Sequence, residues 1–132
     1  MIRRIALAAV VFAGALASGC THNPALEFDA GADHSLSMPD VLSKPGSQIK
    51  VRIPNMEEFI LVWRTEIGFG ACQSRCTHCQ SELQYRPEEG RLACTTHGCR
   101  FSLDGSVLKG PANKPLRAYL VDLQGDRLKI LG

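Results

Sequence analysis

Apart from one stretch near its start, this chain of 132 residues has no long apolar run. Ile5 to Ala17 is almost wholly apolar but holds only thirteen residues, whereas a helix that crosses a bilayer needs about 20. Its length therefore argues against a membrane span. An excess of one charge is missing as well. Arg3 and Arg4 carry the formal +2, and from residue 20 onward thirteen basic residues balance thirteen acidic ones. No nucleic acid or acidic polymer is expected as partner. No segment keeps a helical period, which argues against a bundle. Histidine is scarce. There are four, and beyond His34 only His78 and His97. Cysteine is the exception, with six in a short chain, a count that asks for a metal or disulfide role.

The first nineteen residues read as an export signal. Arg3-Arg4 supply the positive start, Ile5 to Ala17 the apolar core and Ala17-Ser18-Gly19 the small-residue cleavage site. Leu16-Ala-Ser-Gly-Cys20 is similar to a bacterial lipobox, which implies cleavage before Cys20 and lipidation of that residue. Arg3-Arg4 lead into Ile-Ala-Leu, an imperfect twin-arginine signal, so either export route stays open. Residues 20–46 then hold Asn-Pro, Met-Pro and Lys-Pro-Gly without periodicity. They are expected to be a lipidated N-terminus and flexible tether, with His22 and His34 as solvated linker residues.

From residue 47 the pattern becomes that of strands. Ile49, Val51 and Ile53 alternate with Lys50 and Arg52 up to Pro54-Asn55, and Phe59 to Arg64 is an apolar run fit for a buried strand. Thr65 to Ala71, Leu83 to Tyr85 and Arg91 to Ala93 follow, with a turn at Pro87 to Gly90. Arg117 to Leu123 and Arg127 to Leu131 flank the tight turn at Gln-Gly-Asp126. The expected fold is all-β over residues 47–132, a small sandwich or barrel. A domain this small buries a modest core, so a bound metal would add to its stability.

Between the strands lie Cys76-Thr-His78 and Cys94-Thr-Thr-His97, fifteen residues apart. Each short loop offers one thiolate and one imidazole, the set that a [2Fe–2S] cluster takes when two cysteines hold one iron and two histidines the other. The run from Cys94 through Ala112 closely resembles the second cluster loop and following segment of Rieske domains, and both loops match. The resemblance implies a cluster-binding subdomain inserted into the small sandwich or barrel, and one [2Fe–2S] cluster on Cys76, His78, Cys94 and His97. Two ferric ions, two sulfides, two thiolates and two neutral imidazoles sum to zero, against −2 for an all-cysteine site. Such a site accepts an electron more readily, at roughly −150 to +300 mV against about −400 mV for plant-type clusters. A tetrahedral zinc on the same Cys₂His₂ set does not match the usual cysteine and histidine spacings.

The chain departs from that family in several places. Rieske proteins of quinol-oxidising complexes carry a disulfide between the loops, at positions that are here Ser81 and Thr96. Cys79, Cys99 and Cys72 stand nearby instead. In an oxidising compartment Cys79–Cys99 is the favoured bridge, with one using Cys72, or three small buried free thiols, as the alternatives. High-potential members place a Ser and a Tyr where this chain has Cys99 and Phe101, so two hydroxyl donors to sulfur are missing and a lower potential is implied. Pro111, in Gly110-Pro111-Ala112, resembles the loop that shields the cluster from water.

The leading expectation is a membrane-tethered, extracytoplasmic electron carrier that serves another redox protein, lipid-anchored on the periplasmic or outer-surface side. With no catalytic base or substrate pocket evident, it is not expected to be an enzyme by itself. The first alternative is the iron–sulfur subunit of a respiratory oxidoreductase, in a quinol-oxidising complex or beside a larger catalytic subunit. From another class, a structural zinc-binding or metal-free interaction lipoprotein would be colourless.

Overall fold

The structure, a computed structural model, describes residues 25–132. The expected signal over residues 1–19 and the lipidation site Cys20 lie outside the described residues. Eleven strands are present: β1 Leu26–Asp29, β2 Ser35–Ser37, β3 Gln48–Arg52, β4 Phe59–Arg64, β5 Phe69–Gln73, β6 Leu83–Arg86, β7 Arg91–Cys94, β8 Arg100–Phe101, β9 Val107–Lys109, β10 Ala118–Gln124 and β11 Arg127–Leu131. Among the described residues the only helical element is a 3-10 turn, Asp40–Ser43, and none is long and apolar enough to cross a membrane. Seven strands make a barrel-like sheet in the order β1-β3-β4-β5-β10-β11-β2. The other four, β6-β7-β8-β9, form a separate antiparallel sheet inserted between β5 and β10. This is the expected all-β architecture with an inserted subdomain.

Strand β4 joins the two parts because both its faces are buried. Ile60 and Val62 point into a core with Ile49, Val51, Ile53, Leu128 and Ile130. Leu61 and Trp63 point the other way, into a core with Leu83, Tyr85, Leu92 and Phe101 of the inserted sheet. The unbroken run Phe59-Ile-Leu-Val-Trp63 is therefore what a strand between two cores requires. Trp63 stacks on Tyr85 at 5.7 Å between ring centroids. Its indole lies flat over Gly70, where a Cβ would come within 2.3 Å of the ring. Only glycine leaves room on β5 for that side chain.

Two expectations are corrected here. Residues 20–46 are not all tether: β1 pairs in parallel with β3, β2 pairs with β11, and Leu36 and Leu42 are buried in the core that holds Ile49, Val51 and Leu128. The backbone hydrogen bonds of the neighbouring strands recruit these short segments, whose composition alone is loop-like. His34 accordingly sits in the turn between β1 and β2, at φ 61°, instead of a linker. Lys50, which alternates with Ile49 and Val51 on β3, is itself only 9 % exposed. Its ammonium reaches Glu82 at 2.7 Å and Glu27 at 3.2 Å. Burial opposes its charge, but the hydrogen bonds to the two carboxylates outweigh burial and its pKa is raised.

A chain begun at residue 47 should therefore be much less stable than one begun at residue 25. Losing the burial of Leu36 and Leu42 costs about 3 kcal/mol or more, which lowers the melting temperature of a domain this size by at least about 10 °C. Equal melting by circular dichroism would restore the tether reading.

Candidate metal centre

Two loops at one end of the inserted sheet carry the candidate donors. The first leaves β5 and is closed on itself: the Cys76 N–H donates to the Ser81 carbonyl at 2.8 Å and the Gln80 N–H to the Cys76 carbonyl at 3.1 Å. Gln80 adopts φ 59° to make this turn. The second joins β7 to β8 and is closed by the Cys94 N–H on the Cys99 carbonyl at 2.9 Å, with Gly98 at φ 72°. The loops are then tied together. The Glu82 carbonyl accepts both the N–H of Thr95 at 3.3 Å and its hydroxyl at 3.1 Å. The Thr96 hydroxyl donates to Ser81 Oγ at 2.7 Å. A hydrogen bond thus spans the loops at the two positions where related quinol-oxidising proteins have their disulfide.

This scaffold brings all four expected donors to one place. Cys76 and Cys94 are buried at the base, whereas His78 and His97 are exposed at the tips with ring centroids 5.6 Å apart and planes at 82°. Burial pushes the thiols of Cys76 and Cys94 up, while backbone N–H groups oppose it, those of Cys79 and His78 at Cys76 and those of His97 and Thr96 at Cys94. Amides aimed at sulfur suit a thiolate that binds metal. Cys76, Cys79 and Cys94 place their sulfurs within 4.8 Å of one another, and so do the ligand atoms of His78, Cys79 and His97. Paired thiols below and paired imidazoles above fit the donor chemistry of a cluster with one sulfur-bound and one nitrogen-bound iron.

The other cysteines behave differently from one another. Cys79 Sγ lies 3.4 Å from Cys94 Sγ, and hydrogen bonds from the Ser81 side chain and from His97 hold its thiol down to about 5. Cys99 is fully buried and accepts the Ala112 N–H at 3.4 Å. Cys79 and Cys99 are free thiols, as are the other described cysteines, so the expected Cys79–Cys99 bridge is not formed. Both sulfurs lie beside Cys76, with Cys79 Sγ also facing Cys94 and Cys99 Sγ also facing the Ala112 N–H. Cys72 is buried in β5, which pushes its thiol up to about 12, and it donates to the Gln73 carbonyl. Phe101 is fully buried in the subdomain core. Pro111 is itself exposed, and it is Ala112 that packs inward. Thr77 donates to the Lys114 carbonyl at 2.8 Å and fastens this third segment to the first loop. The place of Cys79 Sγ beside the donor atoms, Glu82 as the tie and the Thr96–Ser81 bond were not identified from the sequence, although the spacing Cys76-x-x-Cys79 was there to be read.

The model of the Rieske [2Fe–2S] domain matches residues 38–120. The chain belongs to the Rieske family. Its membership, with these donors, implies one [2Fe–2S] cluster and an electron-transfer role. Among curated relatives, the cytochrome b6-f complex iron–sulfur subunit 1 of Synechocystis is 28% identical, over 94% of this chain and 76% of its own length. Subunit 2 of the Nostoc complex is 35% identical over 43% of this chain, and the match spans only 32% of that relative. In structure, the cyanobacterial plasma membrane Rieske protein of Synechocystis aligns over 73% of this chain and 95% of its own, with a TM-score of 0.59 and 26% identity. The ferredoxin of carbazole 1,9a-dioxygenase from Nocardioides aromaticivorans aligns over 74% and 96%, at TM-score 0.62 and 21% identity, a likeness of fold.

Removing the tie between the loops should loosen a bound cluster. Thr96→Val is expected to cost about 1 kcal/mol and to speed bleaching of the visible spectrum on heating. Ser81→Cys with Thr96→Cys should oxidise to a bridge and slow it. Identical bleaching rates for Thr96→Val and wild type would show that the hydrogen bond does not hold the loops.

Proposed function

We propose that this Rieske electron-transfer protein works outside the cytoplasm, lipid-anchored at Cys20, with Cys76 and Cys94 on one iron and His78 and His97 on the other. The observation that carries the reading is the polarity of the site: buried thiols behind, two exposed imidazoles side by side in front. When bound, the cluster supplies one-electron chemistry. The chain does the rest. Cys76 and Cys94, with Ala112 beside Cys99, keep the base of the site away from water. His78 and His97 form the edge at which a redox partner comes close.

The N-terminal sequence supports the placement through its export signal and lipobox. The folded domain begins at once after it: from Cys20 to Leu26 there are six residue steps, so an anchored domain would stay within about 20 Å of the membrane surface. A partner would then be membrane-bound or come to that surface. The long reach of a 27-residue tether is not part of this reading.

A second reading is favoured by the similarity to cytochrome b6-f iron–sulfur subunits. In it the chain is the iron–sulfur subunit of a larger respiratory oxidoreductase, and gentle membrane extraction would bring down a large partner with it.

Cys99 and Phe101 stand where hydroxyl donors raise the potential, so the sulfurs keep more electron density and reduction is harder. The midpoint is expected in the low or middle part of the Rieske range, below about +200 mV. Potentiometric titration followed by electron paramagnetic resonance measures it, and a higher value would refute the assignment of these two positions.

A further inference from the structure

The two loops carry a second ligand set written over the first. Read with Cys79 in place of His78, the donors are Cys76-x-x-Cys79 and Cys94-x-x-His97. A two-residue gap between cysteines, followed by a second short-spaced pair, is the spacing of tetrahedral zinc sites with three thiolates and one imidazole. The geometry agrees. Cys76, Cys79 and Cys94 hold their sulfurs within 4.8 Å of one another, and Cys79 and Cys94 are 3.4 Å apart. Sulfurs that share one tetrahedral ion at about 2.3 Å lie just under 4 Å from each other. For the fourth donor, a ring nitrogen of His97 lies within 4.8 Å of Cys79 Sγ, and this exposed side chain would have to turn toward Cys76 and Cys94 to complete the set.

We propose that the site also takes one mononuclear zinc ion, on Cys76, Cys79, Cys94 and His97, in competition with the [2Fe–2S] cluster. This rests on the ligand assignment above. The sets share Cys76, Cys94 and His97, so the chain holds one or the other. Each has one residue of its own: Cys79 for zinc, His78 for the cluster. Binding Zn²⁺ releases the thiol protons, and three thiolates with a neutral imidazole leave the site at −1, whereas the oxidised cluster site is neutral. The zinc-loaded chain has no electron to give. Which metal arrives first therefore decides whether a chain can carry electrons.

The two private ligands make the test. The full chain, Cys79→Ser and His78→Ala are each purified from iron-rich and from zinc-rich, iron-poor cultures, and metal content and visible spectrum are measured. The wild type should be coloured from iron and hold zinc from the second culture. Cys79→Ser should keep the cluster spectrum, which also proves it folded, and hold at least about 10-fold less zinc than wild type. His78→Ala should lose the cluster and keep the zinc. Wild type without zinc, zinc in Cys79→Ser at the wild-type level, or loss of both metals from His78→Ala would each overturn the proposal. Failure of the cluster reading is a separate result, a wild type that stays colourless in iron-rich culture.

Discussion

Glu82 is where the parts of the molecule meet. Its carbonyl oxygen accepts two hydrogen bonds from Thr95, which fixes the second loop against the first, and its carboxylate receives Lys50 from the seven-stranded sheet. Two thiols and two imidazoles can share a small metal group only if two separate loops hold their backbones to within a fraction of an ångström. A loop alone cannot do that, because its ordering entropy is uncompensated. Here each loop is closed by its own hydrogen bonds, tied to the other through Thr95 and Thr96, and fastened to a third segment through Thr77 and Ala112.

The platform beneath owes its rigidity to β4. Its alternate side chains enter two cores, so the inserted sheet cannot shift relative to the larger one without exposing Leu61 and Trp63. Lys50 follows from the same arrangement. On β3 it lies opposite its register partner Leu61 of β4 and is covered, and it stays charged because Glu27 and Glu82 both reach it. Buried sulfur and exposed nitrogen at the loops are the outcome. Burial keeps the thiols of Cys76 and Cys94 from solvent, whereas the imidazoles of His78 and His97 face outward.

Much of this could be read in the sequence, for physical reasons. The alternation of Ile49, Val51 and Ile53 and the apolar run of β4 report burial directly, and the loop spacing reports ligand geometry. Strands β1 and β2 could not be read, because they are sheet additions held by backbone pairing, with largely exposed residues in β1. Strands β8 and β9 have two and three residues, too short to show a period. The burial of Lys50 depends on two carboxylates distant in sequence. Cys79 was legible in spacing but hidden by the stronger Cys-x-His pattern that shares its loop. Its place between the thiols and the imidazoles needed the fold.

The account stands on the four ligands, and the measurement that tests them most directly is the nitrogen hyperfine spectrum of the reduced, iron-loaded chain. Two coordinated nitrogens of comparable strength, both lost when His78 and His97 are replaced together, are the predicted result. A paramagnetic cluster with no coordinated nitrogen, or an iron-grown protein without any cluster signal, would contradict it.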